Sequence, residues 1–128
     1  MLHIKRAYEP ADAKDGYRVL VERLWPRGVR KTELQLDAWL KDVAPSHELR
    51  RWFGHDPARW TEFAARYRRE LRKHPAAEAL AELVRHASLR TVTLVYGARD
   101  ETHNGAVVLR GEVESALAGR AHQSHPGR

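Results

Sequence analysis

The sequence predicts a single α/β domain in which a small parallel or mixed sheet is flanked by helices in three compact layers. Three observations carry this reading. Short runs rich in β-branched and aromatic residues stand near the start of the chain and again at Thr91–Tyr96. The stretch between them is helix-patterned and long. Strands joined by such a crossover pair in parallel or mixed fashion, with helices packed on the sheet faces. Finally, 128 residues with 42% hydrophobic composition suffice for one core and not for two.

Taken in order, Leu2–Arg6 places Ile4 among basic residues, which suits a strand near a sheet edge. Ala11–Gly16 reads as a loop, with Asp15-Gly16 a strong turn signal. Tyr17–Arg23 is expected to be a strand, ended by Pro26 and Gly28. Leu36, Trp39 and Leu40 fall on one side of a short helix expected over Leu34–Leu40. Ser46 is a natural N-cap for the next helix, whose buried face is Leu49, Trp52 and Phe53 and which Gly54 closes. Asp56-Pro57 signals another start, because the carboxylate caps and proline costs nothing at the first helical position. Trp60, Phe63, Ala64, Tyr67 and Leu71 then form one apolar stripe. Pro75 restarts a helix through about His86, with Leu80, Leu83 and Val84 inward. Thr91–Tyr96 reads as a central strand, apolar on both faces apart from its threonines. Ala106, Leu109, Val113 and Leu117 mark the last amphipathic helix. The domain is expected over residues 1–119, with 120–128 a disordered tail.

Composition narrows the function. Cysteine is absent, which excludes disulfides, thiolate metal sites and a cysteine nucleophile and fits a cytoplasmic protein. The first ten residues carry no secretory pattern, and no apolar run is long enough for a bilayer. Lys and Arg outnumber Asp and Glu by 23 to 17, a surplus that favours anionic partners such as phosphates, nucleotides or nucleic acid. Glycine-rich dinucleotide and P-loop motifs and the Gly-x-Ser-x-Gly elbow are missing. Despite eight histidines, no His-x-x-x-His pair or His-Glu-x-x-His motif occurs, so no dedicated metal site is expected.

Two basic-aromatic turns remain as the place for a site. Each follows a predicted strand, where ligands of open parallel sheets sit. In the first, Arg23 and Arg27 suit bidentate recognition of phosphate or carboxylate, and Trp25 is placed to stack or to brace an arginine. The competing role for Trp25 and Pro26 is to plug the end of the core while acids such as Glu22 pair with the arginines. In the second turn, Gly97 is followed by Asp100, Thr102, His103 and Asn104 at the mouth of a helix, where backbone amides can meet an anion. Asp100 and His103 are candidate acid/base or orienting groups, and Asn104 is a candidate hydrogen-bond partner. Asp100 and Thr102 are equally candidates for the cap of that helix.

Read together, Tyr17-Arg-Val-Leu-Val-Glu-Arg-Leu-Trp-Pro-Arg-Gly28, Trp39-Leu-Lys-Asp-Val-Ala-Pro-Ser46, Leu49-Arg-Arg-Trp-Phe-Gly-His-Asp-Pro57 and Thr93-Leu-Val-Tyr-Gly-Ala-Arg-Asp100 resemble the YeaO-like family of small bacterial proteins, a domain of unknown function. Tyr67–Leu71 and His103–Leu109 continue the resemblance, which covers nearly the whole chain. It implies a single cytoplasmic α/β domain and adds Lys41, Trp52 and His55 as ligand-binding candidates. It names no cofactor. The function expected is binding, with or without transformation, of an anionic small molecule at the carboxyl ends of the strands. A nucleic-acid-binding or regulatory module using the arginine-rich surface is the alternative. The geometric expectation is that Arg23, Trp25 and Arg27 face Asp100, His103 and Asn104 across one cleft.

Overall fold

The computed structural model describes residues 1–123. Strands β1 (Leu2–Arg6), β2 (Tyr17–Leu20), β3 (Ala38–Trp39) and β4 (Val92–Tyr96) form one sheet in the order β1-β4-β2-β3. Every pair is parallel, so the sheet is not mixed. The helices are α1 (Lys31–Leu34), α2 (His47–Phe53), α3 (Trp60–Glu70), α4 (Ala76–Leu89) and α5 (Gly105–Gln123). Among the described residues no helix is long and apolar enough to cross a membrane.

Side-chain alternation along the strands divides the core. Val19, Val92, Leu94 and Tyr96 face a large cluster built with Phe53, Phe63, Tyr67, Leu83, Leu109 and Val113 from α2 to α5. Leu20 and Val95 face the other way, against Ala7 and Leu34, with Trp25, Val29, Leu36 and Trp39 packed around them. The three expected layers are present but unequal. β4 lies inside the sheet and is buried along its whole length, which is why it reads as an unbroken apolar run. At ~1.5–3 kcal/mol for each fully buried aliphatic side chain, these strands anchor the fold. Tyr67, 1% exposed, takes its hydroxyl into the core, and that group donates to the Val43 carbonyl at 2.5 Å.

The thinner face also buries charge. Arg18 is 4% exposed; its Nη1 donates to Asp15 at 2.6 Å, and its Nε and Nη2 donate to the Leu34 carbonyl. Lys5 Nζ reaches the same carboxylate at 3.1 Å. Burial alone would raise the Asp15 pKa, but hydrogen bonds from the Asp12 amide, Lys5 and Arg18 outweigh it and hold the carboxyl below its ordinary value. Gly16 next to it has φ 65°, and a Cβ there would stand 2.4 Å from the Thr91 carbonyl oxygen. Only glycine lets β2 start this close to β4.

Several boundaries differ from the sequence expectation. The helix expected over Leu34–Leu40 is instead the single turn α1, ended by Gln35 at φ 48°, followed by β3. Asp37 docks that segment: its amide donates to the Arg18 carbonyl, and its carboxylate accepts from the Arg18 amide, both at 2.8 Å. The Leu40 amide adds a bond to Leu20. A seven-residue helix carries most of the nucleation cost with few bonds in return, whereas pairing with β2 is already templated. β2 ends at Leu20 rather than Arg23, although Val21 still donates to Val95. α4 runs on to Leu89, about one turn past His86. Asp56 does cap, accepting from the Ala58 amide, but the Pro57–Arg59 turn it opens is 3₁₀ before α3 begins. α5 continues through Gln123, four residues into the expected tail; residues 124–128 lie outside those described.

Candidate functional site

The carboxyl ends of β2 and β4 sit side by side, and the chain leaves them in opposite directions. After β2 it passes to β3; after β4 it enters α5, which packs on β4 and β1. A divergence of this kind opens a crevice at the strand ends. The two turns meet there: Gly97 follows Tyr96 and its amide donates to Glu22 Oε1 at 3.1 Å. A Cβ on Gly97 would stand 3.1 Å from that oxygen and 3.9 Å from Pro26, so the glycine permits the close approach.

Beside this junction lies a cleft of about 60 Å³. Its polar lining is Glu22, Arg23, Arg50, His55 and Asn104, and its walls are Val21, Ala44, Pro45, Phe53, Phe63 and Ala98. Gly105 and Ala106, the first residues of α5, close one side. Their amides have no acceptor among the described residues, and the helix dipole puts partial positive charge there.

The sequence candidates divide between this cleft and other surfaces. Arg23 lines it, tethered by Nε to the Pro45 carbonyl at 2.9 Å and by Nη2 to Ala44 at 3.4 Å, which leaves Nη1 without a hydrogen-bond acceptor among the described residues. His55 lines it from an exposed position with φ 57°, a left-handed conformation costing roughly 1–2 kcal/mol in a non-glycine residue. Asn104 lines it as well, but both ends of its amide serve the fold. Its Oδ1 accepts from Val107 and its Nδ2 donates to the Asp100 carbonyl, so Asn104 rather than Thr102 caps α5.

Asp100 and His103 stand just outside. Asp100 Oδ1 accepts from the Thr102 and His103 amides at 2.9 Å, and Oδ2 lies 3.0 Å from His103 Nδ1. The Thr102 amide is the largest reason the Asp100 carboxyl is held far below its usual range; burial opposes it, and the His103 amide, the His103 ring and the Thr102 hydroxyl reinforce it. His103 packs edge-on to Trp60, centroids 5.3 Å apart. The pair orders the loop into α5, and Asp100 borders a second depression that shares His55 and Ala98 with the cleft.

The remaining candidates are elsewhere. Trp25 turns to the thin face, donating to the Val29 carbonyl at 2.7 Å and meeting Trp39 edge-on at 5.5 Å. Arg27 is exposed, and its carbonyl accepts from the Tyr8 hydroxyl. Lys41 sits 4.2 Å over the Trp39 ring. Trp52 is flanked by Arg59 and Arg66, at 5.3 and 4.3 Å. The expectation of one cleft joining both turns therefore holds for Arg23 and Asn104 and fails for Trp25, Arg27, Asp100 and His103; β2 ends at Leu20, so Arg23–Gly28 is a turn without strand alternation, and Trp25 is drawn to the cluster on the thin face.

Glu22 and Arg50 are not among the sequence candidates, yet both line the cleft. Glu22 is hidden within the strand expected over Tyr17–Arg23. Its one legible signal is that it is the first acid after an apolar run. Burial raises its pKa above the ordinary carboxyl value, opposed by the Gly97 amide and by the charges of Arg50 and His55. Arg50 reads as the solvent side of α2, and only the docking of that helix brings it to the end of β2.

Known proteins match the chain along most of its length. The uncharacterized protein Rv3073c of Mycobacterium tuberculosis is 47% identical over 108 residues, 84% of this chain and 89% of its own. The uncharacterized protein YeaO of Escherichia coli is 43% identical over 109 residues, 84% of this chain and 92% of its own. No solved structure matched the chain. A family model described as the inactive DUF488-N3 subclade matches residues 1–127. With cleft, strands and both turns all inside that span, the chain belongs to the inactive DUF488-N3 subclade.

Proposed function

We propose that this chain binds an anionic small molecule in the cleft between β2, β4 and α5, and that it works by binding rather than by chemistry. The observation that carries the reading is the convergence of Arg23 Nη1, Arg50 and the free amides at the start of α5 on one partly apolar crevice. Guanidinium groups and helix N-terminal amides both favour phosphate or carboxylate. At ~10–15 Å³ for each water, 60 Å³ holds a phosphate or short carboxylate but not a nucleotide. The family's description as inactive supports binding over catalysis. So does the engagement of the Asp100–His103 pair with the α5 loop.

The nucleic-acid reading is weaker because three of the four arginines between Arg59 and Arg69 are paired with acids. Arg59 pairs with Asp56, Arg66 with Glu62 and Arg68 with Glu112.

Calorimetric titration with inorganic phosphate and with short carboxylates tests the proposal. Wild type is expected to bind at least one of these ions. Arg50→Gln, an exposed change that leaves the core intact, is expected to weaken that binding about tenfold, the loss of one charge-assisted hydrogen bond. Absence of binding across the panel, or an unchanged affinity in Arg50→Gln, overturns it.

A further inference from the structure

The cleft that gathers cationic groups also contains a carboxylate. Glu22 Oε1 accepts from the Gly97 amide, whereas Oε2 accepts no hydrogen bond among the described residues. No ion pair among the described residues includes Glu22. Its neighbour Arg23 is turned instead toward the Ala44 and Pro45 carbonyls. A half-buried carboxylate with one oxygen open to the cleft and no ion pair, on which only the more distant charges of Arg50 and His55 act, is a ready acceptor for a cationic group. It would also repel a ligand that is purely anionic.

A ligand carrying the two charges meets both the cationic groups and the carboxylate. We infer, on the footing of the anion-binding reading above, that the cleft recognises a small zwitterion, with its carboxylate or phosphate at Arg50 and the α5 amides and its ammonium at Glu22 Oε2. Glu22 thereby becomes the group that selects an amine-bearing ligand over the corresponding plain anion. Phe53, Phe63 and Val21 wall the space between, which suits a short aliphatic body. The volume of about 60 Å³ limits the ligand to amino-acid size. A site built to pair a charged group discriminates strongly against an analogue that lacks it, because its own polar atom is then left unsatisfied.

The experiment compares two matched pairs by calorimetry at neutral pH: alanine against propionate, and O-phosphoethanolamine against ethyl phosphate. In wild type the amine-bearing member of at least one pair is expected to bind about tenfold or more tightly than its partner. Glu22→Gln, whose amide oxygen still accepts from Gly97, is expected to remove that preference and to strengthen binding of the plain anion. Arg50→Gln is expected to weaken both members of the pair. Equal affinity within both pairs in wild type overturns the ammonium subsite while leaving the anion site standing. No binding by any of the four compounds, phosphate or the short carboxylates overturns both. The wild-type comparison stands whether or not Glu22→Gln folds.

Discussion

Asp15 and Glu22 are both acids at the ends of β2, and their environments push them in opposite directions. Asp15 is paired with Arg18 and Lys5, so its folded pKa lies below the unfolded one. Its contribution to stability is therefore present above the unfolded carboxyl pKa of about 4 and is lost as pH falls through the lowered folded value. Asp15→Asn leaves a buried guanidinium without its charge partner and is expected to cost about 3–5 kcal/mol in urea unfolding at pH 7. A loss below about 1 kcal/mol would mean that the Leu34 carbonyl alone satisfies Arg18. Glu22 has the reverse sign: its folded pKa is raised, so what it contributes is present below the unfolded pKa and disappears as pH rises through the folded one. Glu22→Gln is accordingly expected to leave stability unchanged or higher at pH 7, by up to about 1 kcal/mol, and clear destabilisation there would contradict the burial effect. Arg18 stands only three residues from Asp15, but its burial beside Lys5, like the isolation of Glu22 in the cleft, is set by how β2 docks and not by the local sequence.

Helix starts were the most legible features at the scale of elements, because caps act through residues two or three positions away. Ser46 accepts from the Leu49 amide, as its place before the apolar pattern predicts. Its amide and hydroxyl also donate to the Glu70 carboxylate, at 2.8 and 2.5 Å, tying α2 to the end of α3. Ser46→Ala removes the cap and one of these bonds and is expected to cost about 1–2 kcal/mol by urea denaturation. A change within a few tenths of a kcal/mol would show that the cap is replaced by solvent. β3 illustrates the opposite case. Leu36, Trp39 and Leu40 fit a helical stripe, but Asp37 and Leu40 find backbone partners on β2, and two residues of strand outweigh two turns of helix. Short segments are decided by whatever they meet.

For the molecule as a whole, the four tryptophans report on both faces of the sheet. Trp25 and Trp39 pack with the smaller cluster, and Trp52 and Trp60 with the larger one. Because β2 and β4 contribute to both clusters, the two faces are expected to unfold together. Far-ultraviolet dichroism and tryptophan fluorescence should then give coincident urea transitions, and separated midpoints would show that the thin face melts independently. The sequence by itself determined the α/β class, the central β4, the edge position of β1, the caps of α2 and Pro57–Arg59, and the two strand ends beside which the candidate cleft lies. Those follow from periodicity, burial pattern and local hydrogen bonding, which a linear chain carries. Tertiary structure alone decided that all strands run parallel and that β3 replaces a helix. It also sent Arg23 into the cleft while Trp25 and Arg27 lie elsewhere, and it brought Glu22 and Arg50 to the cleft lining. Each of these depends on which segment docks beside which, and a side chain's neighbours across a sheet or from a packed helix have no signature in its own stretch of sequence.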